Sequence, residues 1–266
     1  LELGIFCFWE FRFWNLEFRS TFALMKSLIK RILHTLLGFE RYLYIFSVFK
    51  INTFKWDKNE GDFFQFLDML DEDDHVLDIG SNIGITTVLM SRKVPKGKVH
   101  SFEPIPINFV TLKKITDHYA CANTNLYPYA LGDENGEVEM VLPQVENVQM
   151  QGLSHVVHKD LTDFNEGKRY KAAIYRLDDL EVLRNESISG IKIDVENFEY
   201  FVLKGGRNLI ERHQPIIYAE LWDNENRQRC FTLMRELGYK IFVYQDKKIQ
   251  VYHSDKHTTQ NFFFLV

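Results

Sequence analysis

Two groups of residues have types and spacings that can do chemistry. The first is Asp78-Ile79-Gly80-Ser81-Asn82-Ile83-Gly84, followed by Glu103-Pro104. It reads as a strand end, a tight loop and a helix start, with a second carboxylate closing the next strand. Gly80 allows a tight turn and a close approach by a ligand. Gly84 allows the helix to pack closely on the strand. Asp78 can meet a ligand's ammonium group, and Glu103 can accept hydrogen bonds from both hydroxyls of a ribose. The loop is not the G-x-G-x-x-G of dinucleotide binders. Asn82 and Ile85 stand where the second and third glycines belong, and a pyrophosphate needs that second glycine for backbone approach. S-adenosylmethionine has no phosphate, so the residues fit it better than NAD. The competing reading is an ordinary turn in which Ser81 or Asn82 caps the helix.

The second group is Lys192, Asp194 and Glu196, alternating with Ile191, Ile193 and Val195. Residues two apart share one face of a strand. A buried central strand holds a Lys and an Asp only for a reason, and a ligand pocket at its carboxyl end supplies one. Glu220 ends the following strand, so three acids are expected to converge. Asp194 and Glu196 are the candidate general bases, with Glu220 in support. The alternative is a structural Lys192–Asp194 ion pair beside a solvated Glu196. His155 and His158 lie in a polar stretch and read as solvated loop residues or substrate contacts. His253 and His257 have HxxxH spacing on a loop, and no residue set has convincing metal-ligand spacing. The carboxylates suit magnesium, but nothing in the sequence supports it.

The elements that must position these groups alternate from about residue 62. Strands are expected at His75–Ile79, Lys98–Phe102, Asn125–Ala130, Ile188–Val195 and Pro215–Leu221. Helices are expected at Phe63–Leu70, Gly84–Lys93, Asn108–Tyr119, Glu199–Arg212 and Asn224–Leu237. This predicts a parallel sheet covered on both faces, whose ligands bind beyond the strand carboxyl ends. Glu137–Leu142 reads as an exposed strand and residues 143–170 as an irregular lid or insertion. Ala172–Leu177 reads as a further strand. The last three strands, Tyr239–Tyr244, Lys248–Tyr252 and Asn261–Val266, imply antiparallel pairing at one edge.

The 266 residues carry 32 Lys+Arg against 37 Asp+Glu, a formal charge of −5, which argues against a nucleic-acid binder. Three scattered cysteines, Cys7, Cys121 and Cys230, fit a reducing, cytoplasmic compartment. No apolar run reaches the roughly 20 residues of a membrane span. Residues 1–24 hold eight Phe or Trp and no Lys or Asp. They read as upstream sequence outside the native start at Met25, or else as an aromatic interaction segment. Residues 25–61 read as an amphipathic helical segment. Its apolar pairs, with basic residues between, either pack on the domain or give residues 25–50 a peripheral contact with the inner face of a membrane.

Several stretches together resemble the FkbM-type methyltransferases. They are Val76–Gly84, Val99-His100-Ser101-Phe102-Glu103-Pro104-Ile105-Pro106, Ala130-Leu131-Gly132-Asp133, Leu177-Asp178-Asp179-Leu180, Ile191–Glu199 running to Gly206, and Pro215–Glu220. The resemblance covers residues 62–266, with one departure: Asn197 stands where the family usually has glycine. It implies a three-layer class I Rossmann-like fold with a mostly parallel seven-stranded sheet and an antiparallel edge hairpin, to which the segment 25–61 adds an N-terminal helical extension. It also implies S-adenosylmethionine as donor, held by Asp78, Gly80, Ser81, Asn82, Gly84, Glu103, Pro104 and Ala130. Catalysis then falls to Lys192, Asp194, Glu196 and Glu220. The acceptor is expected to be a hydroxyl of a sugar, glycan or secondary metabolite. The rival readings are an NAD-dependent sugar oxidoreductase or epimerase and a non-catalytic methyltransferase-like binding module. The oligomeric state is not encoded in any motif.

Overall fold

The structure is a computed structural model and describes residues 37–145, 148–149, 154–157 and 166–266. The segment 1–24, residues 25–36 and His158 lie outside these. Helices α1 (Phe39–Thr53) and α2 (Gly61–Asp68) precede strand β1 (His75–Ile79). Next come α3 (Ile85–Lys93), β2 (Lys98–Phe102), α4 (Pro106–His118) and β3 (Thr124–Tyr127). Short strand β4 (Ala130–Leu131) leads to β5 (Gly136–Val145), β6 (Val148–Gln149), β7 (His155–Val156) and β8 (Gly167–Tyr175). Then follow β9 (Ile188–Ile193), α5 (Glu199–Gly205), α6 (Arg207–His213), β10 (Ile216–Glu220) and α7 (Glu225–Glu236). The chain closes with β11 (Lys240–Gln245), β12 (Lys248–Val251) and β13 (Asn261–Leu265).

Among the described residues the main sheet has eight strands in the order β12-β11-β13-β10-β9-β1-β2-β3. Strands β3, β2, β1, β9 and β10 run parallel, while β13 is antiparallel to both β10 and β11. These seven make the expected sheet, and β12, antiparallel to β11 at the edge, adds an eighth. The central parallel strands β1, β9 and β10 are mostly buried because both faces are covered,. Strand β13 extends the same logic: Phe262, Phe263 and Phe264 are all fully buried.

The middle of the chain departs from expectation. The third strand ends at Tyr127, and Ala130–Leu131 leaves the main sheet to pair with β8. Residues expected to form one exposed strand and a lid contribute to a second sheet, β4-β8-β5-β6, with β7 also on β5. Its long ladder joins β5 and β8 antiparallel from Gly136↔Ile174 to Pro143↔Gly167. Opposite charges across that ladder, Glu139 with Arg169 and Glu137 with Lys171, fix the pairing,. The helix expected over 199–212 is interrupted at Gly205-Gly206 and becomes α5 and α6.

In α1, Tyr42, Leu43, Phe46, Ser47, Lys50 and Ile51 are buried, the spacing of one helix face. They meet Ile83, Val88 and Ile115 on the cofactor-like loop, α3 and α4. The described part of the amphipathic segment therefore packs on its own domain. Buried Lys50 is compensated by Asp57 at 3.1 Å. Among the described residues no helix is long and apolar enough to cross a membrane.

Candidate active site

The carboxyl ends of β1, β2 and β9 are stitched together by backbone. The Asp194 N–H donates to the Ile79 carbonyl at 3.0 Å, and Gly80 and Ser81 N–H both donate to the Phe102 carbonyl. Gly80 has φ 79°, and a Cβ there would lie 1.8 Å from the Asp194 carbonyl oxygen. Only glycine lets these strand ends meet. Above them lies a cleft walled by Gly80, Asn82, Glu103, Pro104, Ala130, Asp194 and Glu196 among others.

Of the residues proposed for the cofactor, Gly80, Asn82, Glu103, Pro104 and Ala130 are on the cleft wall. Glu103 is the most elaborately held. One oxygen accepts the Asn82 N–H at 2.9 Å, and the other accepts the Ile105 N–H at 2.8 Å. Burial pushes its carboxyl up to about 7, against the opposing pull of those N–H groups,. Asn82 has φ 49°, a left-handed conformation that Asn tolerates.

Three expected roles are corrected. Asp78 does not reach the cleft wall: it is fully buried, and its carboxylate accepts from the hydroxyls of Thr86 at 2.9 Å and Thr87 at 2.6 Å. Both hydroxyls go to the same oxygen; the other has no hydrogen-bond partner among the described residues and lies 3.6 Å from the Lys192 ammonium. The Ser81 hydroxyl turns inward to the Asp78 carbonyl at 2.7 Å. It neither caps α3 nor faces the cleft; the N-cap is Gly84, with no side-chain cap. Gly84 packs against the neighbouring helix rather than the strand, since a Cβ there would lie 2.9 Å from Leu112 Cδ1.

Lys192 is buried behind the cleft rather than on its wall. Its ammonium donates to the Gly80 carbonyl at 3.0 Å and sits 3.6 Å from Asp78 and 3.5 Å from Asp194. Burial works against its charge, but Asp194 and Asp78 outweigh it and raise its proton affinity. Lys192 therefore ties the Gly80 loop to Asp194. The expected Lys192–Asp194 ion pair is present, while Glu196 is half-buried on the cleft wall rather than fully solvated.

Asp194 and Glu196 both stand on the cleft wall. Burial, then the charges of Asp194, Glu220 and Glu199, raise the Glu196 carboxyl well above the usual range, with Lys192 opposing. Glu220 is off the wall but close enough to contribute to that field. The acids converge as the alternating pattern implied, with one addition. Glu199 is buried, and its carboxylate accepts the N–H groups of Val195 and Asn197, each at 3.1 Å. Burial raises it to about 8. It shapes the turn in which Glu196 and Asn197 take φ values of 53° and 74°.

Asn197 accommodates the left-handed angle where glycine was expected. Its carboxamide oxygen accepts from Asn224 Nδ2 at 2.8 Å, and its carbonyl accepts from Asn226 Nδ2 at 3.1 Å. Asn224 in turn caps α7, accepting the Asn226 and Arg227 N–H groups. The acid turn is thus bonded to the β10–α7 loop.

The rest of the wall includes Ile105, Asn108, Tyr129, Leu131, Met140, Ser154, Val156 and Phe198, none of them among the expected site residues. Met140, Ser154 and Val156 come from the second sheet, which no local pattern places beside β2. Asn108 follows Glu103 by one turn of α4 and could have been found by that spacing. His155 is buried in β7 beside Val141, not solvated, and is not part of the wall. His257 Nδ1 accepts the His253 N–H at 2.9 Å within their loop. Among the described residues no group of three or more His, Cys, Asp or Glu is arranged to hold a metal ion.

The sheet order, the reversed β13 and the cleft over β1, β2 and β9 define a class I methyltransferase, Rossmann-like domain. The chain belongs to the FkbM methyltransferase family, whose domain model (Methyltransferase FkbM domain) matches residues 78–241. It is 26% identical over 192 residues to Methyltransferase 1 of Beauveria bassiana, covering 65% of this chain and 74% of that one. It is 25% identical over 196 residues to the 31-O-demethyl-FK506 methyltransferase FkbM of Streptomyces tacrolimicus, covering 65% and 75%. Among solved structures, the FkbM methyltransferase of Methylobacillus flagellatus is 15% identical with a TM-score of 0.49. That match covers 94% of this chain but only 62% of the other, so the chain spans less than two thirds of its length.

Proposed function

We propose that the chain transfers a methyl group from S-adenosylmethionine to a hydroxyl of a sugar, glycan or secondary-metabolite acceptor. The observation that carries this reading is the cleft itself. It joins a glycine-turned loop and a buried, N–H-bonded Glu103 to Asp194 and Glu196 across a single wall. The residues fit the cofactor: Gly80 leaves its backbone uncovered, Glu103 is the ribose acceptor, and Pro104, Ile105, Ala130, Leu131 and Met140 offer an apolar surface to the adenine. When bound, S-adenosylmethionine supplies an electrophilic methyl carbon on a sulfonium centre.

The chain's own part is alignment and proton handling. In-line displacement is mainly a positioning task, and the backbone bonds between β1, β2 and β9 hold both halves of the cleft rigid. An alcohol is a poor nucleophile until its proton leaves, so a base belongs beside it. Glu196 suits that role because its raised proton affinity brings it nearer to neutral pH than a solvated carboxylate. Asp194 and Glu220 sustain that field, and Lys192 holds Asp194 in place at 3.5 Å.

The test is transfer of labelled methyl from S-adenosylmethionine into glycan and metabolite fractions, with and without the protein. Label in a hydroxyl-bearing fraction supports the reading. Cofactor binding with no labelled product supports the non-catalytic module instead.

A further inference from the structure

Asn108 is 1% exposed and still forms part of the cleft wall. It lies on the first turns of α4, one helical turn beyond the strand end that carries Glu103. Its amide nitrogen faces Glu103 Oε1 at a long 3.5 Å. Its carboxamide oxygen has no hydrogen-bond partner among the described residues. A buried acceptor left unmatched costs free energy in the empty protein, and a hydrophobic residue of this size would fill the space without that cost. A buried polar side chain with one matched end and one unmatched end, on a ligand cleft, has the form of half a binding contact. Glu103 and Asn108 line the same cleft, so a ligand with two neighbouring hydroxyls can present one to each. A ribose presents two adjacent hydroxyls, each able to donate once.

We propose that Asn108 is a cofactor-binding residue whose carboxamide oxygen accepts a ribose hydroxyl, so that Glu103 and Asn108 share the diol between them. This rests on the cofactor reading above. The terminal torsion of Asn is soft, so the oxygen can swing toward an incoming hydroxyl without moving α4. The assignment makes a two-sided claim: the side chain contributes to binding and not to the stability of the empty protein.

The experiment is calorimetric titration of the full chain and of Asn108→Leu and Asn108→Ala. The ligands are S-adenosylhomocysteine and its 2′-deoxy and 3′-deoxy forms, and the melting temperature of each empty protein is recorded. Both variants are expected to bind S-adenosylhomocysteine about tenfold more weakly. Asn108→Leu is expected to melt no lower than the wild type. One deoxy form should bind the wild type more weakly than the parent, and that difference should shrink in both variants. Equal affinity of variants and wild type overturns the assignment, as does an undiminished deoxy penalty. A fall in melting temperature in both variants, with affinity preserved, makes Asn108 structural and also overturns it. Failure of the wild type to bind S-adenosylhomocysteine at all sinks the cofactor reading itself, and this assignment with it.

Discussion

At the scale of single residues, the acids separate by what holds them: burial and like charges raise the Glu196 carboxyl, while Glu103 and Glu199 accept backbone N–H groups. If Glu196 is the base, Glu196→Gln should lower turnover by roughly two to four orders of magnitude and leave S-adenosylhomocysteine affinity near the wild-type value. Near-normal turnover would remove Glu196 from the chemistry and leave Asp194, tested in the same way by Asp194→Asn. Gly80→Val is a different kind of change. Its side chain would meet the Asp194 carbonyl before it met any ligand, so the variant should lose stability as well as binding. A variant that melts normally but does not bind would show that the close approach is not needed for folding. Asp78 shows where residue-level reading stops. The sequence places a carboxylate at a strand end, but only the fold reveals that Thr86 and Thr87 share one of its oxygens.

At the scale of elements, two connections hold the cleft. In the first, α1 reaches the cofactor loop through Ser47, whose hydroxyl donates to the Ile83 carbonyl at 3.1 Å and to the Leu43 carbonyl at 2.9 Å. Ser47→Ala should cost about 1 kcal/mol of stability and speed hydrogen exchange in residues 80–85; unchanged exchange there would show that α1 does not restrain the loop. The second is the bond from Asn197 to the β10–α7 loop. Asn197→Gly keeps the left-handed angle, which glycine adopts freely, and deletes only the side-chain bond. It should loosen residues 221–227 in the same exchange measurement with little change in melting temperature. The periodicity of 3.6 or 2 made most of these elements legible to within a few residues. It marked parts of β5 and β8 as strands but missed β7 and the pairing of all three, because their partners are set by tertiary contacts and not by local pattern. It could not resolve 128–131 either, where the chain leaves one sheet for another within a few residues.

At the scale of the whole molecule, buried carboxyls make stability depend on pH in a definite direction. Folding raises Glu103 to about 7 and Glu199 to about 8 from an ordinary 4.5. The folded state therefore binds more protons than the unfolded state between those values, and stability falls as pH rises through them. His100 acts with the opposite sign: burial lowers it from 6.5 to about 4, so its cost appears only as pH falls below about 6.5. The melting temperature of the empty protein should decline from about pH 6.5 to pH 8, and Glu199→Gln should flatten the decline. A curve that rises over that interval would contradict these assignments. The wider architecture was legible because strand, glycine loop, helix and acid recur in a fixed order. The second sheet that walls the cleft carries no such order.

The central claim is that this cleft is built for S-adenosylmethionine and not for a dinucleotide. Thermal unfolding of the full chain with S-adenosylhomocysteine or NAD tests it most directly. A ligand present at 100 times its dissociation constant stabilises by about 2.7 kcal/mol. The account expects a shift of that size with S-adenosylhomocysteine, reduced by Glu103→Ala, and none with NAD. A shift with NAD and none with S-adenosylhomocysteine would contradict it.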